Sequence, residues 1–295
     1  MDLLSSLDLS KKEIGRIFEL ADARRAKARG SPLLALVFEK SSTRTRVSFE
    51  AAMHGLGGSS VYLDARASQM SRGETIADTA RVLSSYVDII SARMDRHSDI
   101  VELAEASEVP VVNALTDLEH PCQALSDVYT IKKAFGRIGG LRIAFVGDIA
   151  ANTANSLMVT AAMMGAEISL VGPDACEPNR AYIDAAGEHS LVEISNDLED
   201  GLEGCHVVYT DTYVSMGQEA DAAKRRKMFS GYQVNARTMR YARDGARVMH
   251  CLPAHRGEEI TSEVLDGKAS LAWEQAANKL PVERAILLYL LNNGR

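Results

Sequence analysis

The apolar segment Leu33-Leu34-Ala35-Leu36-Val37-Phe38 is followed directly by the polar segment Glu39-Lys40-Ser41-Ser42-Thr43-Arg44-Thr45-Arg46. An uncharged apolar run of this length predicts a strand that is buried on both faces, as in a parallel sheet. Apolar residues then recur at helical spacing until a group of glycines at 55–58. The segment therefore predicts a strand, a turn and a helix, which is the unit from which α/β folds are built.

The polar segment carries hydroxyls and guanidiniums at the start of the predicted helix. Ser42 or Thr43 is expected near the N-cap, where backbone N–H groups and the positive end of the helix dipole favour an anion. Arg44 and Arg46 add planar forks that match phosphate oxygens. A capped surface helix with solvated arginines is the alternative, but capping alone does not require this alternation. We therefore predict a phosphate site.

The composition is that of a globular protein with more than one core. The chain has 295 residues, 46% of them hydrophobic and 5% aromatic, and a formal net charge of −7. This length suggests about two domains of ~150 residues. No apolar run approaches the ~18 residues of a membrane helix, and no basic stripe indicates nucleic-acid binding. The start of the chain has an acidic, amphipathic pattern, typical of part of the fold and not of a targeting peptide.

Strand-like runs alternate with helical patterns along the whole chain, which predicts parallel sheets covered by helices. The predicted strands are Leu33–Phe38, Ser60–Leu63, Val87–Ser91, Val109–Ala114, Leu141–Val146, Glu167–Val171, Val192–Ile194, His206–Thr210 and Arg247–Cys251. A glycine-rich break at 135–140 follows a helix predicted to begin at Pro121. The last helix is predicted from Pro281 to Asn292, and its dense apolar face requires a docking surface.

The pentapeptide Ser-Thr-Arg-Thr-Arg at 42–46 is a signature of the carbamoyltransferases, and the chain resembles their ornithine branch in particular. The resemblance implies two doubly wound α/β domains joined by interdomain helices. Residues 1–133, completed by the C-terminal helix 278–295, would bind carbamoyl phosphate, and residues 134–277 would bind ornithine. The site would lie in the cleft between them, with phosphate on Ser42, Thr43, Arg44 and Thr45.

Two further segments match the carbamoyl phosphate side of the family pattern. His120-Pro121-Cys122-Gln123 resembles its His-Pro-x-Gln motif, which implies that His120 and Gln123 reach the carbonyl oxygen, where negative charge develops during attack. Arg93 aligns with an arginine that contacts both phosphate and carbonyl oxygen. A helix-starting His-Pro pair and a solvated strand-end arginine are the respective alternatives.

The segment Asp64–Asp78 is polar, contains glycine and has the composition of a functional loop. In the family, the corresponding loop crosses to a neighbouring subunit. The resemblance therefore implies that Gln69, and with less support Arg72, complete the site of another copy in a homotrimer or a multiple of it. An ordinary mobile loop is the alternative.

The resemblance assigns the amino-acid side to the second half of the chain. Asn152 would contact the substrate, although it and Asn155 would also suit the start of a helix. Asp211-Thr212-Tyr213-Val214-Ser215-Met216-Gly217 resembles the loop that distinguishes ornithine enzymes, with Asp211 on the α-ammonium and Ser215 and Met216 completing the clamp. Tyr213 replaces the commoner Trp, and we expect this loop to close over ornithine.

The segment His250-Cys251-Leu252-Pro253 is the most specific match after the pentapeptide. It implies that Cys251 and the Leu252 backbone face the carbamoyl carbon and the δ-amine, which makes Arg93, His120 and Cys251 the catalytic group. A Cys–His nucleophile is the alternative chemistry, but an activated donor does not require a covalent intermediate. The family motif Ala-Glu-Asn-Arg reads Ala276-Ala277-Asn278-Lys279 here. We expect Lys279 to bind carbamoyl phosphate with one donor in place of a fork, and more weakly.

The resemblance implies carbamoyl transfer from carbamoyl phosphate to L-ornithine, giving citrulline and phosphate. Putrescine, aspartate and acylated ornithine are rival acceptors, and a non-catalytic phosphate-sensing protein is a further alternative. The strand at 141–146 is followed by only one glycine, so that GxGxxG is absent and a nicotinamide-dependent dehydrogenase is disfavoured. The four cysteines show no metal-site spacing. We therefore expect no metal or cofactor, no nucleic-acid or membrane partner, and a cytoplasmic location.

Overall fold

The computed structural model describes residues 1–23, 26–214 and 219–293. The chain divides into two compact units, one made of Met1–Tyr129 and Asn278–Arg295 and the other of Thr130–Ala277. The sequence-based boundaries follow residues 133 and 277. Among the described residues, none of the helices combines the length and the apolar character needed to cross a membrane.

Within the described residues, the first unit contains a four-stranded parallel sheet in the order β2-β1-β3-β4. Its strands are β1 (Leu33–Phe38), β2 (Ser59–Asp64), β3 (Ile89–Arg93) and β4 (Val111–Leu115). The predicted bounds of β1 are confirmed, and those of the other three shift by at most two residues. Because β3 ends two residues later than predicted, Arg93 is its last residue and does not lie in the turn beyond it. The strand order reverses between β1 and β3, which makes the carboxyl ends of these two strands the expected place for a ligand.

The described part of the second unit contains a five-stranded parallel sheet in the order β7-β6-β5-β8-β9. Its strands are β5 (Arg142–Val146), β6 (Glu167–Val171), β7 (Val192–Ser195), β8 (Val207–Thr210) and β9 (Arg247–His250). The central strands are buried on both faces, whereas the edge strand β7 is partly exposed. Here the order reverses between β5 and β8, so the expected ligand position lies at their carboxyl ends.

Helices cover both sheets, and the predicted α/β class with two doubly wound parallel sheets is confirmed. The helices are α1 (Lys11–Asp22), α2 (Thr43–Leu56), α3 (Ile76–Ser84), α4 (His97–Ala106), α5 (Pro121–Phe135), α6 (Asn152–Met163), α7 (Arg180–Gly187), α8 (Leu198–Leu202), α9 (Ala222–Phe229), α10 (Ser262–Leu265) and α11 (Ala272–Asn293). Helix α5 begins at Pro121 as predicted, because proline has no N–H to lose in the first turn. Both unit boundaries fall inside helices, α5 and α11.

The predicted start of the last helix at Pro281 is wrong. Helix α11 begins at Ala272 and continues through Pro281. A proline inside a helix removes one backbone hydrogen bond, which usually marks a helix start or a break. Here Leu271 and Ala272 on one side of the proline and Ile286 on the other are all buried. Tertiary burial therefore maintains a helix that the local rule ends.

Candidate active site

The N-terminus of α2 lies at the carboxyl end of β1, where the sequence predicts the phosphate. Ser42 is the N-cap, with extended backbone, and its Oγ accepts a hydrogen bond from the Thr45 N–H at 3.3 Å. Thr45 is buried, whereas Thr43 and Arg44 are exposed. The cap fixes the first turn, so that its backbone N–H groups point out of the helix toward the space beyond β1.

The two arginines of the pentapeptide have different surroundings. Arg46 donates from Nε to Glu50 Oε1 at 2.9 Å, and its Cζ lies 3.7 Å from the ring centroid of Tyr62. These contacts direct Arg46 to the helix surface, so the expectation that both forks face phosphate is not supported. The charge of Arg44 lowers the pKa of Arg93, which shows that these two guanidiniums lie near each other.

Arg93 ends β3 at the reversal point of its sheet. The strand pairing shifts between Ala92 and Arg93, and the Arg93 carbonyl accepts the Glu39 N–H at 2.9 Å. The side chain is only 5% exposed. Burial, followed by the charge of Arg44, lowers the pKa of Arg93 to about 10. The guanidinium stays charged at neutral pH. An anion bound between the two arginines would offset both the cost of burying the Arg93 charge and its repulsion by Arg44.

His120 precedes α5, and its backbone carbonyl accepts the N–H groups of Gln123 and Ala124 at 3.1 and 3.2 Å. The imidazole is 6% exposed. Burial lowers the pKa of His120 well below its usual value, and the charges of Lys279 and Arg93 add to the effect. A neutral imidazole can donate one N–H to a developing oxyanion without carrying a charge of its own.

Gln123 lies one turn into α5 and is 4% exposed. Its Nε2 donates to Asp127 Oδ1 at 2.7 Å, and its Oε1 accepts from Lys279 Nζ at 3.0 Å. Lys279 itself is 2% exposed and lies 3.3 Å from Glu283 Oε1. The structure therefore places Lys279 in a buried polar cluster behind Gln123.

Gln69 and Arg72 belong to a short 3₁₀ helix that follows β2, and both are exposed. The segment Asp64–Asp78 is thus built of helical turns and the start of α3. Nothing in this geometry ties Gln69 to the arginines of its own chain.

Asp211 follows β8 at the reversal point of the second sheet and is 7% exposed. Its Oδ1 accepts from the Thr212 N–H at 2.7 Å and from the Cys251 thiol at 2.9 Å, and its Oδ2 accepts from Thr153 Oγ1 at 2.9 Å. Three donors from three segments hold this carboxylate at the edge of the sheet. It is suited to binding a cation.

Asn152 is the first residue of α6, the helix that follows β5. The N-cap is Ala151, without a side-chain cap. A capping role for Asn152 is therefore wrong, while its position at the carboxyl end of β5 suits a ligand group. Thr153, the next residue, supplies the bond to Asp211.

Cys251 and Leu252 follow β9, the neighbour of β8. The Leu252 backbone has φ 59°, a left-handed conformation that costs a non-glycine residue about 1–2 kcal/mol. The Leu252 N–H donates to His250 Nδ1 at 2.8 Å, which places the proton of the ring on Nε2, where it donates to Glu259 Oε1 at 3.0 Å. Glu259 is completely buried. It maintains the conformation of the Cys251–Leu252 turn through His250.

This arrangement disfavours the Cys–His nucleophile. Both ring nitrogens of His250 have partners, and His255 Nδ1 lies 3.0 Å from Thr212 Oγ1. The thiol of Cys251 donates to Asp211 Oδ1 at 2.9 Å.

In the part of the chain that the structure describes, two groups bring possible metal ligands within 4.8 Å of one another: Asp211, His250 and Cys251, and His255, Glu258 and Glu259. In the first, His250 would have to give up its bond to Leu252 or to Glu259 before it bound a metal. The hydrogen bonds already present account for the arrangement of this group.

The loop after β8 is described as far as Val214. Tyr213 is 2% exposed and stacks on Phe229 with ring centroids 5.3 Å apart. Arg225 donates from Nε to the Tyr213 carbonyl at 2.7 Å and also binds Asp148. Ser215 and Met216, predicted to bind ornithine, lie outside the described residues, as does Gly217.

Several residues that support the site were missed from the sequence, namely Asp127, Asp148, Arg225, Glu259 and Glu283. Each acts on a predicted site residue or its loop through a side-chain contact. Glu259 stands beside the equally acidic Glu258, and only burial tells the two apart. No local pattern marks the other four.

Comparison with known proteins gives the family. The profile described as "Aspartate/ornithine carbamoyltransferase, carbamoyl-P binding domain" matches residues 1–133. The profile described as "Aspartate/ornithine carbamoyltransferase, Asp/Orn binding domain" matches residues 139–290.

Relatives match over nearly the full length. An ornithine carbamoyltransferase from Methanobrevibacter smithii is 46% identical, over 98% of this chain and 99% of its own. The structure of ornithine carbamoyltransferase from Pyrococcus furiosus has a TM-score of 0.93 at 42% identity, covering 100% of this chain and 98% of that one. That of the anabolic enzyme from Campylobacter jejuni has a TM-score of 0.93 at 36% identity, covering 100% and 99%. The chain therefore belongs to the aspartate/ornithine carbamoyltransferase family.

Proposed function

We propose that this protein transfers the carbamoyl group of carbamoyl phosphate to the δ-amine of L-ornithine, giving citrulline and phosphate. The observation that carries the proposal is the Asp211 carboxylate, held by Thr153, Thr212 and Cys251 at the reversal point of the second sheet. A fixed anion there suits an acceptor with an ammonium group. The cationic group of Arg44 and Arg93 lies at the reversal point of the other sheet and suits a phosphate.

Carbamoyl phosphate is held by two sets of groups in this proposal. The phosphate takes the N-terminus of α2, with Ser42, Thr43, Arg44 and Thr45 around it. The carbonyl oxygen takes donors from Arg93, His120 and Gln123. Because His120 is kept neutral by burial, its donor is present throughout the neutral pH range. The role of Lys279 is treated below with Glu283.

Ornithine is held at the carboxyl edge of the second sheet. Asp211 binds the α-ammonium and Asn152 the α-carboxylate, and Ser215 and Met216 complete the clamp. Cys251 and the Leu252 backbone face the carbamoyl carbon and the δ-amine. The Cys251 thiol donates to the Asp211 carboxylate at 2.9 Å, which orients the carboxylate proposed to bind the α-ammonium.

The chemistry requires a neutral δ-amine. Its lone pair forms the new C–N bond to the carbamoyl carbon, the C–O bond to phosphate breaks, and the nitrogen gives up one proton, which the departing phosphate takes up. A lysine-like amine has a pKa of ~10.4, so the neutral form is scarce at pH 7. We therefore propose that the rate rises with pH through the titration of this amine.

The acceptor is tested by one assay. With carbamoyl phosphate fixed, we expect kcat/KM for ornithine to exceed that for putrescine, aspartate and N-acetylornithine by about 10³-fold or more. Putrescine lacks both α-groups and N-acetylornithine lacks the α-ammonium, so each leaves a binding group of the site unpaired, whereas aspartate has no δ-amine to attack the carbamoyl carbon. Product is measured as ureido compound by colour reaction. A faster reaction with putrescine than with ornithine would show that Asp211 does not bind the α-ammonium of an amino acid. If no acceptor gives product, the proposed activity is rejected.

We further propose a homotrimer, or a multiple of it, in which Gln69 enters the site of a neighbouring copy, and a cytoplasmic location. Gln69 is exposed on its short helix, which supports its contribution to the site of a neighbouring copy. The four cysteines are free, which supports a reducing compartment such as the cytoplasm.

Sharing of sites is tested by mixing two defective variants. Gln69→Ala and Arg93→Leu, each weakly active alone, are co-expressed with different tags and purified by both. We expect activity at about a third of the wild-type level per site, because every trimer that carries both tags has one of its three sites with both native groups. Co-expression of Arg93→Leu with Arg72→Ala, purified in the same way, tests whether Arg72 also contributes to the site of a neighbouring copy. Activity no higher than that of the parents would contradict sharing.

A further inference from the structure

Helix α11 places two oppositely charged residues one turn apart in the interior of the first unit. Lys279 and Glu283 are 2% and 0% exposed, and Lys279 Nζ lies 3.3 Å from Glu283 Oε1. A buried ammonium without a carboxylate would be strongly destabilising, so each charge depends on the other. The sequence analysis did not predict this pair, because it considered only Lys279, as a ligand of carbamoyl phosphate.

Lys279 also contacts Gln123, which is proposed to bind the carbonyl oxygen. Its Nζ donates to Gln123 Oε1 at 3.0 Å, while Gln123 Nε2 donates to Asp127 Oδ1 at 2.7 Å. An ammonium only donates and a carboxylate only accepts, so the two partners fix which end of the amide is oxygen. One N–H of the amide is bound to Asp127. The second then has a fixed direction.

Glu283 reaches beyond its own helix. Burial raises the pKa of its carboxyl, and the charge of Lys279 and the Ser48 hydroxyl act in the opposite direction. Ser48 belongs to α2, the helix whose N-terminus is proposed to hold phosphate. The charge of Lys279 also lowers the pKa of His120. The ion pair therefore interacts with α2 and with His120, two of the parts proposed to bind carbamoyl phosphate.

We propose that Lys279 and Glu283 form a buried pair of positioning residues, and that Lys279 acts on carbamoyl phosphate through Gln123 and not as a ligand of its carbonyl oxygen. This rests on the proposed function of the site. The ammonium lies 3.3 Å from Glu283 Oε1 and donates to Gln123 Oε1 at 3.0 Å, and the side chain is almost fully enclosed. Lysine at position 279 is in this view the partner of Glu283, and it is not a weakened ligand.

The test is a double-mutant cycle on Lys279 and Gln123 in the intact enzyme. The variants are Lys279→Met, Gln123→Leu and the double variant, with the dissociation constant of carbamoyl phosphate measured by calorimetry and both KM values by citrulline formation. We expect each single change to weaken carbamoyl phosphate binding about tenfold, with KM for ornithine unchanged, and the double variant to be no weaker than either, since residues acting as one unit are not additive. Additive losses of about a hundredfold would show that Lys279 binds the ligand itself.

Glu283 is tested by Glu283→Gln, which keeps the shape and removes the charge. We expect it to weaken carbamoyl phosphate binding with the ornithine KM unchanged, which a purely structural loss would not do. Unchanged carbamoyl phosphate binding would overturn the role of Glu283. If the single variants do not fold, Lys279→Met/Glu283→Gln removes both charges together and is compared with the same pair carrying Gln123→Leu.

Controls separate the possible failures. Arg180 and Asp184 form an exposed ion pair at the same helical spacing, 2.9 Å apart, in the second unit, and Arg180→Met should change neither constant. Wild-type protein that binds carbamoyl phosphate but forms no citrulline would reject the proposed function and leave the binding cycle readable. If the wild-type protein forms citrulline but the losses in the double-mutant cycle are additive, only the positioning role of Lys279 is rejected.

Discussion

Replacing Arg93 with leucine is expected to lower kcat/KM for carbamoyl phosphate by about 10³-fold, which is the effect of losing a fixed donor at a developing oxyanion. Arg93 is 5% exposed at the end of β3, and its pKa of about 10 keeps the guanidinium charged at neutral pH. Water cannot readily replace a charge that is held in a buried position. The measurement is steady-state citrulline formation with ornithine saturating.

Two comparisons show whether the loss belongs to this guanidinium. Arg93→Lys keeps the charge without the planar fork and should recover only part of the activity. Arg96 lies three residues along the chain, is exposed, and pairs with Asp99 at 2.9 Å, so Arg96→Leu should stay within about twofold of wild type. If Arg93→Leu kept kcat/KM within tenfold of wild type and melted at the same temperature, Arg93 would not be a catalytic residue.

Replacing Asp211 with asparagine should lower kcat/KM for ornithine by about 10²–10³-fold, because removing one partner of a buried charge pair costs ~2–5 kcal/mol. Asparagine is isosteric with aspartate. Because Thr153, Thr212 and Cys251 all donate to the Asp211 carboxylate, the stability of the variant shows how well the fold tolerates an amide in its place. Carbamoyl phosphate binding should be unaffected, because Asp211 belongs to the other half of the site. Calorimetry with carbamoyl phosphate alone measures this directly.

A ligand without the α-amino group assigns the role of Asp211. 5-Aminovalerate keeps the carboxylate and the δ-amine, so Asp211→Asn should leave its inhibition constant unchanged if Asp211 binds the α-ammonium. Weaker inhibition would place Asp211 at the reacting amine instead. Asp174, exposed beyond β6 and bonded to Asn196 at 2.8 Å, offers the control Asp174→Asn, for which no change is expected.

The secondary structure was predictable because its signals are local. The bounds of β1 and the start of α5 followed from an uninterrupted apolar run and from a proline that is compatible only with a first helical turn. The N-cap of α2 was expected at Ser42 or Thr43, and the structure shows that it is Ser42. The wrong start of α11 shows the limit, since burial on both sides of Pro281 outweighs the missing hydrogen bond.

The residues of the candidate site could be named from the sequence, whereas their contacts could not. The family motifs named Arg93, His120, Asp211 and Cys251, which lie at the strand ends or helix starts where α/β folds bind ligands. They also named Arg46 as a second fork toward phosphate, but its guanidinium lies over Tyr62 and pairs with Glu50. A pattern of residue types does not specify the direction in which a long side chain turns.

The sequence by itself determined the two parallel sheets, the anion-favouring start of α2 and the family, because apolar periodicity, capping and short motifs are properties of neighbouring residues. Only the tertiary structure decided which groups support the site. Glu259 orients the Cys251 turn through His250, and Glu283 holds Lys279 against Gln123, a residue 156 positions away along the chain. Such contacts depend on which helices and strands pack together, and burial gives them their strength, since a charge inside the protein must find its partner there.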